Sequence, residues 1–88
     1  MSLKTIQLRF FAGVREQINC AEETVSVPAD VNTVGQVRKW LALRGGVWEK
    51  VFSSECNLRM AHQLAMCEVD QEITDGDEVA FFPPVTGG

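Results

Sequence analysis

The last six residues, Pro83-Pro84-Val85-Thr86-Gly87-Gly88, carry the most specific chemistry in this 88-residue chain. Their one reactive group is the terminal carboxylate of Gly88. A carboxylate is a poor electrophile until it is activated. Transfer of adenylate from ATP makes a mixed anhydride, and a sulfur nucleophile can then displace AMP to leave –C(O)S⁻, a soft nucleophile on a protein handle. The residues before Gly88 suit delivery of such a group. The two prolines hold extended φ and direct the chain away from the strand before them. Val85–Gly88 then spans roughly 13–14 Å at full extension. Gly87 and Gly88 let backbone enter a channel that a β-carbon would block. A terminal Gly-Gly by itself is a weak signal that more often marks a flexible end or a cloning remnant, so the tail has to be weighed against the other candidates.

Those candidates are few. The sequence has no Gly-x-x-x-x-Gly-Lys-[Ser/Thr] phosphate loop, so ATP would have to be bound by a partner. His62 is the only histidine, which excludes a histidine pair for metal or relay chemistry and favours a structural role. No Ser/His/Asp or Cys/His constellation is legible. Asp75, Asp77 and Glu78 do not follow the calcium-loop pattern, and Thr74-Asp75-Gly76-Asp77 reads as a turn. Cys20, Cys56 and Cys67 are odd in number and lack Cys-x-x-Cys spacing, which argues for three reduced thiols in core or half-buried positions. Trp40 and Trp48 read as core or core-edge residues. Phe81 and Phe82 fall on opposite faces of one strand, so one belongs to the core and the other to an exposed apolar patch that would suit docking.

The elements that must position the tail fit one small domain. Hydrophobic residues make up 45% of the chain and charged residues 23%, an ordinary globular balance. No apolar run approaches the roughly 20 residues that span a bilayer, and Met1-Ser2-Leu3-Lys4 does not resemble a secretory leader, so a cytoplasmic location is expected. The net charge of −4 is uneven: residues 1–44 carry +2 and residues 45–88 carry −6. An acidic second half disfavours nucleic acid and would suit a partner with a basic groove.

Alternation predicts a strand over 3–11, with Ile6, Leu8 and Phe10 on one face and Thr5, Gln7 and Arg9 on the other, ended by Gly13. A short helical turn is expected over Ala12–Ile18, and a second strand over 23–27 that Pro28 stops. Thr33-Val34-Gly35-Gln36 has the form of a capping box and opens the main helix, on which Val34, Val37 and Leu41 recur. Gly45-Gly46 supplies its stop, and a short helix follows over Trp48–Phe52. One or two short strands are expected within Leu58–Val69, and a last strand over Glu78–Phe82. A single main helix on one face of a mixed sheet is an α+β arrangement, here residues 1–82 as the domain and 83–88 as an extended tail.

The run Asp75-Gly76-Asp77-Glu78-Val79-Ala80-Phe81-Phe82-Pro83-Pro84-Val85-Thr86-Gly87-Gly88 resembles the small subunits of molybdopterin synthase, a family of ubiquitin-like sulfur carriers. Phe10-Phe11-Ala12-Gly13-Val14-Arg15-Glu16 resembles that family's Phe-Phe-Ala-x-x-Arg-Glu segment. The likeness covers the chain and is weakest between about 46 and 72. Met60-Ala61-His62-Gln63 stands where the family often has Ala-Val-Asn-Gln, with His62 in place of Asn, so the middle-strand register is open.

The resemblance implies a β-grasp fold with the first and last strands adjacent and parallel. It also implies a cycle. An E1-like enzyme uses ATP to adenylate Gly88, a sulfurtransferase supplies sulfur, and the tail carries the thiocarboxylate into the large synthase subunit. There it donates sulfur to cyclic pyranopterin monophosphate, on the way to the molybdenum cofactor. Two small subunits flank a dimer of large ones. The chain is then a sulfur-donating subunit with no cofactor of its own and no catalysis alone. A thiamin-pathway sulfur carrier, a ubiquitin-like protein modifier and a plain interaction domain remain as other readings of the same Gly-Gly end.

Overall fold

Ile6, Leu8 and Phe10 alternate with polar residues, and this period of two matches a strand with one face buried. In the computed structural model, which describes residues 3–53 and 55–84, these three side chains are buried in strand β1, Lys4–Phe10. The strand stops at Phe10 rather than at Gly13, because Phe11 already serves as the N-cap of helix α1, Ala12–Ile18, and Gly13 lies inside that helix. Asn19 closes α1 in the left-handed conformation, which Asn tolerates better than most side chains. Strand β2, Glu22–Val27, buries Val25 and Val27 and ends at Pro28 as expected.

The capping box forms. Gln36 N–H donates to Thr33 Oγ1 at 3.2 Å, and Thr33 N–H donates to Gln36 Oε1 at 3.2 Å. Helix α2 runs Val34–Ala42 and buries Val34, Val37 and Leu41. Its first two free N–H groups, on Val34 and Gly35, bond the carbonyls of Gln71 and Val69. Gly45 and Gly46 do not end α2 directly. They sit three and four residues beyond it, both at positive φ, and make the corner into helix α3, Gly46–Phe52. The Arg38 guanidinium donates to the carbonyls of Phe52, Ser53 and Cys56, occupying acceptors that the end of α3 leaves free.

Strands β3, Arg59–His62, and β4, Ala65–Cys67, form a hairpin, and β5 runs Glu78–Phe82. The sheet order is β2-β1-β5-β3-β4. β1 and β5 are parallel, pairing Leu8 with Val79 and Phe10 with Phe81. The other pairs are antiparallel, and the middle-strand register is Met60 on Phe81 and His62 on Val79. The three helices cover one face. Between them and the sheet lies an aromatic cluster in which Phe10, Phe52, Phe81 and Trp48 meet at ring-centroid separations of 5.2 to 6.3 Å. Three of these rings are fully buried, and burying each is worth about 1.5–3 kcal/mol. Arg44 lies over Trp40 and Trp48 and holds Glu23 through two hydrogen bonds of 2.9 and 2.8 Å, tying β2 to the α2–α3 corner. This is the β-grasp arrangement that the resemblance implies, with α2 as the longest of three helices. Among the described residues no helix is long and apolar enough to cross a membrane.

The turn before β5 sets the parallel register. Asp75 Oδ1 accepts from Thr5 N–H at 2.7 Å, Gly76 N–H donates to Thr5 O at 2.7 Å, and Gln7 N–H donates to Asp77 O at 2.9 Å. The Asp77 carboxylate accepts from Thr74 N–H at 2.9 Å and from the Thr74 hydroxyl at 3.1 Å, and it meets His62 Nε2 at 2.6 Å. Burial pushes this carboxyl up, but the hydrogen bonds from His62 and Thr74 outweigh burial and hold it below the usual aspartate value.

Two predictions follow from these contacts. A lowered carboxyl contributes stability at pH values above the unfolded value of 3.8, and that contribution is lost as pH falls through the folded value. Asp77→Asn should therefore remove part of the acid-range loss of stability, measured as denaturation midpoint against pH; superimposable pH profiles would contradict this. At Gly35, alanine would normally favour a helix by up to about 1 kcal/mol. Here its β-carbon would lie 2.9 Å from Val69 O and 3.0 Å from Val69 Cβ. Gly35→Ala should thus lose about 1–3 kcal/mol in chemical denaturation.

Candidate functional site

The parallel pairing brings the end of β5 beside the start of α1. Phe11 N–H donates to Phe81 O at 3.2 Å, and the Phe11 and Phe82 rings meet edge to face at 6.5 Å. β5 runs from there into Pro83 and Pro84, both half-buried. Pro83 lines a groove with Gly13, Val14 and Gln17 of α1 and with Asn57 and Leu58. The root of the tail is thus gripped on both sides of the sheet, Phe82 by Phe11 on the helix-free face and Pro83 on the helix face. Val85, Thr86, Gly87 and Gly88, the rest of the candidate site, lie outside the described residues.

Phe81 and Phe82 divide as their spacing predicts. Phe81 is in the core, and Phe82 lines an open depression of about 560 Å3 on the helix-free face. Its floor is Ala61 and Ala80, and its apolar walls are Phe11, Phe82, Leu64 and Met66. Three of these are strongly exposed for their type: Phe11 at 45%, Met66 at 63% and Leu64 at 88%. On the rim, Arg9 bridges Glu78 at 3.3 Å and Glu22 at 3.6 Å. An apolar floor with a charged rim, contiguous with the tail root, has the composition of a docking surface.

The hairpin tip was not legible in the sequence. Gln63 and Leu64 form the two-residue loop between β3 and β4, both at positive φ, 52° and 68°. Such loops normally take Asn-Gly, so Gln-Leu gives no turn signal. The strain is of order 1 kcal/mol or more per residue. It is held by Gln63 N–H donating to Glu78 O at 3.0 Å and by Glu78 N–H donating to Gln63 Oε1 at 2.7 Å. The result is a leucine presented to solvent at the edge of the depression.

The remaining candidates stay structural. His62 pairs with Asp77, and Asp75 and Asp77 build the turn. Cys20, Cys56 and Cys67 are free and half-buried, and burial pushes the Cys67 thiol up, with Glu68 and Asp70 adding to the shift. Trp40 and Trp48 pack half-buried against the core. Among the described residues no group of three or more His, Cys, Asp or Glu side chains is placed to hold a metal ion.

Comparison with known proteins agrees with this geometry. A family model described as the ThiS family matches residues 8–88. The molybdopterin synthase sulfur carrier subunit of Escherichia coli K12 is 40% identical over 83 residues, covering 94% of this chain and 99% of that one. A putative molybdopterin converting factor subunit 1 from Pyrococcus furiosus shares the fold, with a TM-score of 0.75, 23% identity and coverage of 93% and 99% of the two chains. So does a chain in a protein–protein complex of subunits 1 and 2 of the molybdopterin-converting factor from Helicobacter pylori, with a TM-score of 0.60, 21% identity and coverage of 96% and 99%. The chain belongs to the ThiS family, and within it to the molybdopterin synthase sulfur carrier subunits.

Proposed function

We propose that the chain carries sulfur on its C-terminal residue for molybdopterin synthesis, with residues 1–82 as the carrier domain and 83–88 as the delivery tail. The observation that supports this most directly is the passage of β5 into Pro83-Pro84 at the rim of an apolar depression. A docking surface at the root of the tail sets where the tail enters a partner. In this reading the reactive group is the terminal carboxylate of Gly88, as the resemblance of the C-terminal run implies.

The chemistry balances without a cofactor on this chain. A carboxylate oxygen of Gly88 attacks the α-phosphorus of ATP in an E1-like partner, releasing pyrophosphate and forming the acyl adenylate. A persulfide on a sulfurtransferase displaces AMP to give an acyl disulfide, and a thiol reductant cleaves its S–S bond to leave the thiocarboxylate. In the large synthase subunit that sulfur attacks a carbon of the pterin precursor, cyclic pyranopterin monophosphate, the carbon–oxygen bond there is lost as the carbon–sulfur bond forms, and water then cleaves the acyl–sulfur bond to return the carboxylate. Pro83, Pro84, Val85, Thr86 and Gly87 serve as the inserted segment, and two carrier chains flank a dimer of large subunits. The carrier contributes reach and docking, and its partners contribute catalysis, which fits the few polar groups around the depression.

The test is reconstitution. Incubated with ATP, the activating enzyme and a sulfur source, the chain should gain the mass of one sulfur in place of one oxygen, by intact-mass spectrometry. Deleting Gly88 should abolish that gain and abolish molybdopterin formation with the large subunit, while the thermal transition stays where it was. No mass gain with competent partners would refute the proposal. A gain without product formation would favour a thiamin-pathway carrier or a protein modifier.

A further inference from the structure

His62 is a titratable side chain of the hairpin that is bonded to the turn before β5. It is the last residue of β3, paired with Ala65 across the hairpin and with Val79 of β5. Its Nε2 meets Asp77 Oδ2 at 2.6 Å, with side-chain exposures of only 19% and 13%. Asp77 is fixed in turn by Thr74 and, through its carbonyl, by Gln7. The next two residues are the strained pair, of which Gln63 is clamped to Glu78 and Leu64 stands exposed beside the depression. Three consecutive residues therefore act as anchor, clamp and presented side chain.

We propose that His62 is a positioning residue for partner docking, and that protonation of its imidazole tightens the His62–Asp77 latch and with it the Gln63–Leu64 tip. This rests on the docking role proposed for the depression. A histidine changes charge within the physiological pH range. The ionised, half-enclosed carboxylate already strengthens the bond to a neutral imidazole, and a charged imidazole adds the attraction of opposite charges to it. The backbone of the tip resists its own conformation, so weakening the anchor releases it toward relaxed loops in which Leu64 no longer lines the depression.

Other charged groups around the pair are engaged or turned away. Asp75 of the same turn accepts from Thr5 N–H. Glu78 of β5 points to the opposite face and meets Arg9. On β4, Cys67 shares the face of His62 but pairs with Met60, two residues away, and burial pushes its thiol up. Lys4 of β1 donates to Ala29 O and to Asn32 Oδ1.

The experiment has two arms. In the first, amide and imidazole resonances of the full chain alone are followed by NMR between about pH 5.5 and 8. The Gln63, Leu64 and Glu78 amides should move along one curve with the His62 ring protons. They should stay still in His62→Asn, which carries no titrating proton. Tip amides that ignore the imidazole would overturn the latch. In the second arm, binding to the large synthase subunit is measured for both proteins. The unchanged chain should bind about fivefold more weakly at the upper end of the range than at the lower, and His62→Asn should be flatter by that factor. Parallel profiles for the two chains would overturn the positioning role. If neither chain binds at any pH, the molybdopterin-synthesis reading and the positioning role both fail, and the resonances of the free chain still decide the latch. Asp77→Asn supplies a second variant from the other side of the bond, in which the tip should no longer follow the imidazole.

Discussion

The parallel pairing of β1 with β5 is the constraint on which the rest of this molecule depends. It joins the first strand to the last at the centre of the sheet, so no part of the core is complete until both are in place. A parallel pair has no hairpin to fix its register. Here the register comes from the Asp75-Gly76-Asp77 turn, whose carboxylate, N–H and carbonyl groups bond Thr5 and Gln7 directly. With that register set, Phe10 falls beside Phe81 and the aromatic cluster under the helices closes. The same register leaves Phe11 beside Phe82 on the opposite face, which starts the depression.

The central strand of the sheet leads straight into Pro83 and Pro84, so the segment that leaves the domain starts from the firmest base the fold offers. The described residues divide into an apolar surface, an ion-paired rim and a proline step, the composition of a docking face. Arg9 fits this division. Its charge is shared between Glu22 and Glu78, so it borders the depression without leaving an uncompensated cation beside apolar surface.

What the sequence disclosed follows from the range of the interactions concerned. The capping box at Thr33, the alternation of Ile6, Leu8 and Phe10, the two faces of Phe81 and Phe82 and the Thr74–Asp77 turn are local patterns, and all stand where the residues place them. Gly13 misled because a glycine inside a short helix looks the same in sequence as one that ends a strand. Strand order and the β1–β5 register are non-local, and it was the family resemblance that implied them. The hairpin tip was hidden for a different reason: Gln63 and Leu64 violate the residue preferences of their own turn, and a reading built on preferences passes over them. Leu64 and Met66 were missed with it, since the face they occupy depends on where that tip lies.

A violated local preference has to be compensated by contacts nearby, and the compensation here is instructive. Gln63 is clamped at both its backbone N–H and its side-chain oxygen to one residue of β5, Glu78. Glu78 itself follows Asp77, whose carboxylate is held by Thr74 and by His62, the residue immediately before Gln63. The restraint thus forms a closed circuit of three contacts between the hairpin and the start of β5, backed by Thr74 within the turn. An Asn-Gly tip would need none of it, and would present no leucine. Strain at this position is the cost of placing a large apolar side chain at the apex of a tight hairpin, and the circuit makes that placement depend on the same turn that registers the whole sheet. The surface that flanks the tail and the register of the strand that carries it are therefore fixed by one set of residues, Thr74 to Glu78.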